Sequence, residues 1–281
     1  MKVGVLTFPT NPPVDVAVLA RRAEELGYNS LWVGEHPVMP VNSVSPFPGS
    51  PDGAIPDSYS WFVDPFVALA RASGVTSRMK LGIGICLVPE RNPLILAKET
   101  ATLDYYSGGR FIFGIGAGWN REETEIMGGN FPHRWTQTRE AIEAMKELWT
   151  KDEAEYHGEY YDFPPVRSFP RPVQRPGPPI YLGGNARNVF NRTVAYGDGW
   201  MPTRATPEEI RHGRDTLNEL AAQAGRDPGS IQVLAYGMPA DRELLRAIEE
   251  AGADEAVVAV AATPEDHALA ELEQIAQKVL S

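Results

Sequence analysis

Short β-rich runs alternate with helical patterns along the whole chain, and they do so eight times; nothing else in the sequence limits the fold as strongly. The runs are KVGVLTF (residues 2–8), SLWVGEH (30–36), KLGIGICLV (80–88), RFIFGIGAG (110–118), PIYLGG (179–184), DGWMP (198–202), IQVLAYG (231–237) and DEAVVAVA (254–261). Local chemistry marks the helices between them. Gly27 suits the cap of a helix over 14–26, Pro93 suits the first position of a helix reaching Tyr105, and Thr206-Pro207-Glu208-Glu209 has the residues of a capping box. Two helices are expected after the fourth run. In the second, Trp135, Thr138, Ile142, Met145 and Trp149 recur at spacings of 3, 4, 3 and 4, an amphipathic stripe. Thr263-Pro264-Glu265-Asp266 opens the last helix.

Repeated βα units favour a parallel sheet, and eight of them permit closure. The sequence therefore predicts an α/β protein, a (β/α)8 TIM barrel with residues 1–281 forming a single domain. An open doubly wound sheet is the alternative, because periodicity does not report closure. Two stretches break the rhythm: residues 37–63, after strand two, hold six prolines, and residues 151–179, before strand five, hold seven. Loops of that length in a compact domain are commonly functional. The first leaves the C-terminal end of a strand and is expected to cover the barrel mouth as a lid. The second is read as a proline-stiffened connector.

A net charge of −11 speaks against nucleic acid or an anionic membrane as partner and leaves a small molecule as the expected ligand. The single cysteine, Cys86, has no second thiol for a disulfide or a metal site, in keeping with a reducing cytoplasm. A proline-broken N-terminal run does not read as a signal peptide, and no segment approaches the length of a membrane span.

GIGAGWNREE, residues 114–123, invites comparison with the dinucleotide fingerprint G-x-G-x-x-G and fails it. Its glycines are spaced G-x-G-x-G, they follow the fourth strand, and no acid is placed to bind a ribose. Asn120 suits an N-cap, but Glu122, Glu123 and Glu125 crowd the first turns and would repel a phosphate. GGNARNVFNR is the better anion site. Gly183 and Gly184 close strand five, Asn185 is placed to cap, and Arg187 and Arg192 follow with no acid between them. Residues 160–215 carry eight arginines against five acids.

Glu35-His36 ends strand two on the face where such barrels do chemistry, and imidazole is the side chain suited to proton exchange near neutrality. A structural role for His36 is the competing reading. No histidine pair has metal-ligand spacing, so no metal is expected. Trp61, Trp119 and Trp200, with Thr7, are candidates to line a pocket for a flat ligand, though an isolated tryptophan is equally suited to packing. Arg121 and Arg134 are expected to pair with neighbouring acids, and Cys86 to be a buried filler.

SLWVGEH, RNPLILAKETATLDYYSGGRFIFGIGAGWNREE, HGEYYDF, PRPVQRPGPPIYLGGN and AYGDGWMP together resemble, in order and nearly end to end, the bacterial luciferase-like flavin superfamily. The nearest likeness is to its coenzyme F420-dependent oxidoreductases. The resemblance implies a (β/α)8 barrel binding a deazaflavin, or alternatively FMN, across the C-terminal strand ends. It implies a non-prolyl cis peptide at Gly84-Ile85 or Ile85-Cys86 against the ring. The family's acid–histidine pair maps to Glu35 and His36. Gly116, Ala117 and Gly118, with Gly183, Gly184, Asn185 and Arg187, would hold the ribityl and phosphate parts. Sugar-phosphate dehydrogenases of this superfamily place a catalytic glutamate where this chain has Trp119, which speaks against sugar-phosphate oxidation. The implied reaction is hydride transfer to or from a small organic substrate. A luciferase-like monooxygenase, or a cofactor-free isomerase or lyase acting on a phosphorylated substrate, is the alternative. Barrels of this kind often pair, so a homodimer is a candidate assembly.

Overall fold

A computed structural model describes residues 1–8, 14–261 and 264–280. In chain order the elements are β1 (Lys2–Thr7), α1 (Val16–Leu26), β2 (Ser30–Val33), α2 (Pro65–Ser73), β3 (Lys80–Leu87), α3 (Pro93–Ser107), β4 (Phe111–Gly116), α4 (Arg121–Ile126) and α5 (Arg134–Thr150). There follow β5 (Ala154–His157), β6 (Asp162–Val166), β7 (Ile180–Gly183), α6 (Val189–Tyr196), β8 (Gly199–Met201), α7 (Pro207–Gln223), β9 (Gln232–Met238), α8 (Arg242–Glu250), β10 (Glu255–Val260) and α9 (Glu265–Val279). Eight parallel strands close in the order β1-β10-β9-β8-β7-β4-β3-β2. The closed barrel is the expected architecture, and the open sheet is excluded.

The helix ends follow the local rules. Asp15 accepts from the Ala17 amide, Gly27 caps α1 at φ 93°, and Asn92 caps α3 just before Pro93. At α7 both halves of the Thr206–Glu209 capping box are made. For α9 the described residues begin at Pro264, so Thr263 lies outside them. Alternation along the strands then sorts side chains into two cores. Leu6, Trp32, Ile112, Tyr181, Met201, Leu234, Tyr236 and Val257 fill the barrel, while Val5, Leu31, Leu81, Phe111, Ile115 and Trp200 join the layer packed with the helices. Trp32 fits inside because β3 has no side chain at Gly82, where a Cβ would stand 2.3 Å from the indole.

The stretch before β7 corrects the expectation of a plain connector. Residues Ala154–His157 and Asp162–Val166 pair as an antiparallel hairpin, turning where the Gly158 amide donates to the Tyr161 carbonyl at 2.9 Å. Pro164 and Pro165 read as breakers in sequence. A two-stranded ribbon is all edge, and an edge tolerates residues without an N–H.

Candidate active site

At the C-terminal strand ends, glycines keep the barrel mouth shallow. The non-prolyl cis bond lies at Gly84-Ile85, the first of the two expected positions. The Tyr236 hydroxyl, standing inside the barrel, donates to the Gly84 carbonyl at 2.9 Å. The Ile85 side chain rises between β4 and β7 because both present glycine there. A Cβ on Gly116 would stand 2.0 Å from Ile85 Cδ1, and one on Gly183 would stand 2.5 Å from Cγ2. Ile85 and Phe8 both pack over the barrel core, and Ile85 forms an apolar floor.

One wall of the mouth is aromatic and carries His36. The imidazole lies 5.0 Å from the Tyr59 ring, 5.4 Å from Phe62 and 5.8 Å from Trp119 by centroid, and Phe47 contacts both Tyr59 and Trp119. Phe47, Tyr59 and Phe62 come from the loop after β2, which therefore covers the mouth as the sequence predicts. It is clasped by the acidic start of α4. The Glu122 carboxylate accepts from Ser45 Oγ at 2.7 Å and from the Val44 amide at 3.2 Å, and Ser43 Oγ accepts from Asn120 Nδ2 at 3.0 Å. Those donors, Ser45 first, hold Glu122 down to about 2.

Glu123, the next residue, reaches His36. Its Oε2 lies 2.7 Å from His36 Nδ1, with the two side chains 1% and 7% exposed. Asn120 caps α4 through the Glu123 amide at 3.0 Å, as expected. The Glu123 side chain does not return to the cap. It crosses to the histidine instead, leaving Oε1 without a partner.

Glu35 does not share that role. Its oxygens accept from the Leu87 amide at 2.7 Å and from Arg91 Nε at 2.8 Å, with Arg91 Nη2 also on the carboxylate. Arg91 further bonds Asp64 at 3.0 Å and Glu99 at 3.2 Å. Glu35 thus ties β2 to the end of β3 rather than presenting a carboxylate to the mouth. Beside it, Glu90 is buried against Thr124, whose hydroxyl donates at 2.9 Å. Burial, then the nearby Glu123 carboxylate, push Glu90 up to about 8. The unfolded carboxyl titrates near 4.5, so between that pH and about 8 the folded chain holds a proton the unfolded chain has released. Stability is therefore expected to fall as pH rises through this window and to fall less in Glu90→Gln; matching unfolding curves for the two proteins at pH 5 and pH 8.5 would remove the assignment.

Cationic side chains gather beside the Gly118 turn, but not those the sequence suggests. Helix α6 starts after Asn188, so Asn185 does not cap it. The Gly184 amide is committed to the Met201 carbonyl at 3.0 Å. Arg187 is exposed. Arg134, expected to pair with an acid, instead donates to the carbonyls of Phe131 at 2.8 Å and Gly118 at 3.3 Å and stacks on Phe131 at 3.9 Å. Arg192 stacks on Trp135 at 4.0 Å, and Arg121 shares the Phe131 ring at 4.7 Å. Burial, then the like charges of Arg121 and Arg192, lower Arg134 below its usual value. Only Arg121 has the expected acid, Glu125 at 3.3 Å.

Several other candidates fall elsewhere. Cys86 is wholly buried in the outer core, and burial pushes its thiol up. Trp200 points out of the barrel, packs on Phe190, and donates to the Gly184 carbonyl at 3.0 Å. Thr7 is buried on the parity of Val3 and Val5, away from the barrel interior. Trp61 is 51% exposed and outside the aromatic cluster that its neighbours Tyr59 and Phe62 join. Ala117 is buried, and Gly118 takes φ 79°. Among the described residues no helix is long and apolar enough to cross a membrane.

A Mycobacterium tuberculosis protein of uncharacterised function is 36% identical over 282 residues, 99% of either chain. An F420-dependent glucose-6-phosphate dehydrogenase from Kineococcus radiotolerans is 30% identical over 84% of this chain and 67% of its own. The fold matches that of coenzyme F420-dependent tetrahydromethanopterin reductase from Methanopyrus kandleri with a TM-score of 0.77, at 19% identity over 99% and 98% of the two chains. The sequence profile described as luciferase-like monooxygenase covers residues 1–274, and the chain belongs to that family.

Proposed function

We propose that the protein is a coenzyme F420-dependent oxidoreductase acting on a small organic substrate, with His36 as its proton-transfer residue. The observation that carries the reading is the buried His36–Glu123 pair enclosed by aromatic rings at the same barrel mouth as the Ile85 floor. The residues present fit a deazaflavin. Ile85 offers an apolar surface for a flat ring, and Gly116 and Gly183 leave no side chain to obstruct it. Arg134 and Arg192, each stacked on a ring and neither in an ion pair among the described residues, form a cationic pair for a phosphate. When bound, the deazaflavin supplies the carbon that takes up or gives back a hydride.

The remaining steps belong to the chain. Glu123 beside Nδ1 selects the tautomer with its proton on that nitrogen and leaves Nε2 to accept a substrate hydroxyl proton, or to return one in the reductive direction. The loop clasped by Glu122 excludes water from the pair. Trp119, Phe62 and Tyr59 make the wall beside His36 apolar, which suits a small alcohol or carbonyl better than a sugar phosphate.

Titration of the protein with F420 and with FMN tests the reading, and binding of neither overturns it. Preference for FMN, with oxygen-dependent turnover, moves the assignment to a monooxygenase, as the family description allows. Arg134→Ala is expected to weaken cofactor affinity by about 10- to 100-fold, the scale of one charge-assisted hydrogen bond. Exposed Arg187→Ala is expected to have a smaller effect. An unchanged dissociation constant in Arg134→Ala takes the phosphate away from this cluster.

A further inference from the structure

Outside the barrel wall, behind the mouth, lies a cavity of about 350 Å³ lined by Glu90, Arg91, Asp64, Asn92, Glu99 and Met127. Asp64 and Glu99 keep 45% and 34% of their side chains exposed, so the cavity is wetted from the surface. Glu90 is its innermost acid, 3% exposed. Thr124 bonds Glu90 Oε1 and directly follows Glu123, the partner of His36. Each of the two buried carboxyls has one oxygen without a hydrogen-bond partner, Oε2 on Glu90 and Oε1 on Glu123. A buried carboxyl oxygen left unpaired is costly unless it serves something other than packing.

We propose that Glu90, Glu123 and His36 form a proton relay from the active site to this outer cavity, with Glu90 as its port. The relay rests on the oxidoreductase reading above. With the mouth covered by cofactor, substrate and loop, a proton exchanged at His36 needs a route that does not pass through them. In the oxidative direction the substrate C–H hydride leaves for the deazaflavin and the O–H proton moves to His36 Nε2. The Nδ1 proton then passes to Glu123, and Glu123 passes one to Glu90, which releases it to water in the cavity. One substrate loses a hydride and a proton; the imidazole is left as its Nε2–H tautomer and returns to Nδ1–H by rotation of the ring before the next turnover. The charges around Glu90 are Glu123 on α4, Glu35 following β2, and Arg91 on its own segment, with Asp64 before α2 and Glu99 on α3 along the cavity. Burial places its titration at about 8, within reach of physiological proton exchange. Glu90 acts through Glu123 and is a positioning residue rather than one that touches substrate.

The test uses the full chain. In ligand-free protein, infrared titration is expected to show a protonated carboxyl band disappearing as pH rises through about 8. The band is expected to be absent in Glu90→Gln. In Thr124→Val, which removes the hydrogen bond favouring the ionised form, its midpoint is expected to rise. The His36 ring-nitrogen resonances, which report the Nδ1–H tautomer, are expected to move in Glu90→Gln. In the loaded enzyme Glu90→Gln is expected to lower kcat by on the order of tenfold and erase the step near pH 8, with cofactor affinity unchanged and Glu90→Asp restoring the step. A band that persists in Glu90→Gln, an unmoved midpoint in Thr124→Val, or a wild-type pH profile in Glu90→Gln overturns the relay. Failure of F420 to bind would instead strike the parent reading and leave the infrared and resonance results standing.

Discussion

Replacing His36 with alanine is expected to reduce turnover by about 10²- to 10⁴-fold, the range for removal of a positioned acid–base group. The side chain sits in a pocket formed by three rings and one carboxylate, so no neighbour takes over its Nε2. Glu123→Gln is expected to lose less, because the shape of the pocket is kept and only the preference for the Nδ1–H tautomer is weakened. Steady-state kinetics of both variants, with cofactor affinity measured separately, separates proton transfer from binding. A His36→Ala protein with near-wild-type kcat would return His36 to a structural role.

Arg91→Ala is the substitution expected to cost the most stability. Glu35 is 4% exposed and depends on Arg91 and the Leu87 amide, so removing the guanidinium leaves a buried carboxylate with a single donor. Breaking a buried pair from one side costs about 3–5 kcal/mol, and for chains approaching this size each kcal/mol lowers Tm by roughly 2–4 °C. Thermal unfolding should therefore show a loss of about 10 °C. Glu35→Leu combined with Arg91→Met is expected to recover much of it, because no charge is then stranded. A single Arg91→Ala variant that melts like the wild type would mean that Asp64, Glu99 and water rearrange to solvate Glu35.

These two substitutions lie on elements of unequal legibility. The placement of His36 at a strand end was readable, since the run before it is apolar and the loop after it is rich in proline. Its partner was not. Glu123 follows Asn120 by three residues and so reads as a capping-box acid, yet its contact spans 87 residues of chain. Arg134 reads in sequence against neighbouring acids and Arg192 as part of the anion site after β7; neither reading points to the rings they stack on, Phe131 and Trp135.

Trp200 shows a different limit. Strand β8 has only three residues, too few for alternation to say which side chain faces inward, and the answer came from its neighbours: Met201 joins the barrel core and Trp200 the outer layer. The glutamate–histidine dipeptide shows the same limit at a loop, where consecutive side chains part and Glu35 and His36 serve different partners.

What the sequence by itself determined are the features set within a few residues: eight βα units, the Gly27 cap, the start of α3 at Pro93 and the Thr206–Glu209 capping box, each fixed by backbone geometry and nearby hydrogen bonds. Closure of the barrel, the face each tryptophan takes, the pairing of His36 with Glu123 and the cavity behind Glu90 were decided only by the tertiary structure. They depend on which strand ends are brought together, and that follows from burying the whole set of apolar faces at once, not from any local preference.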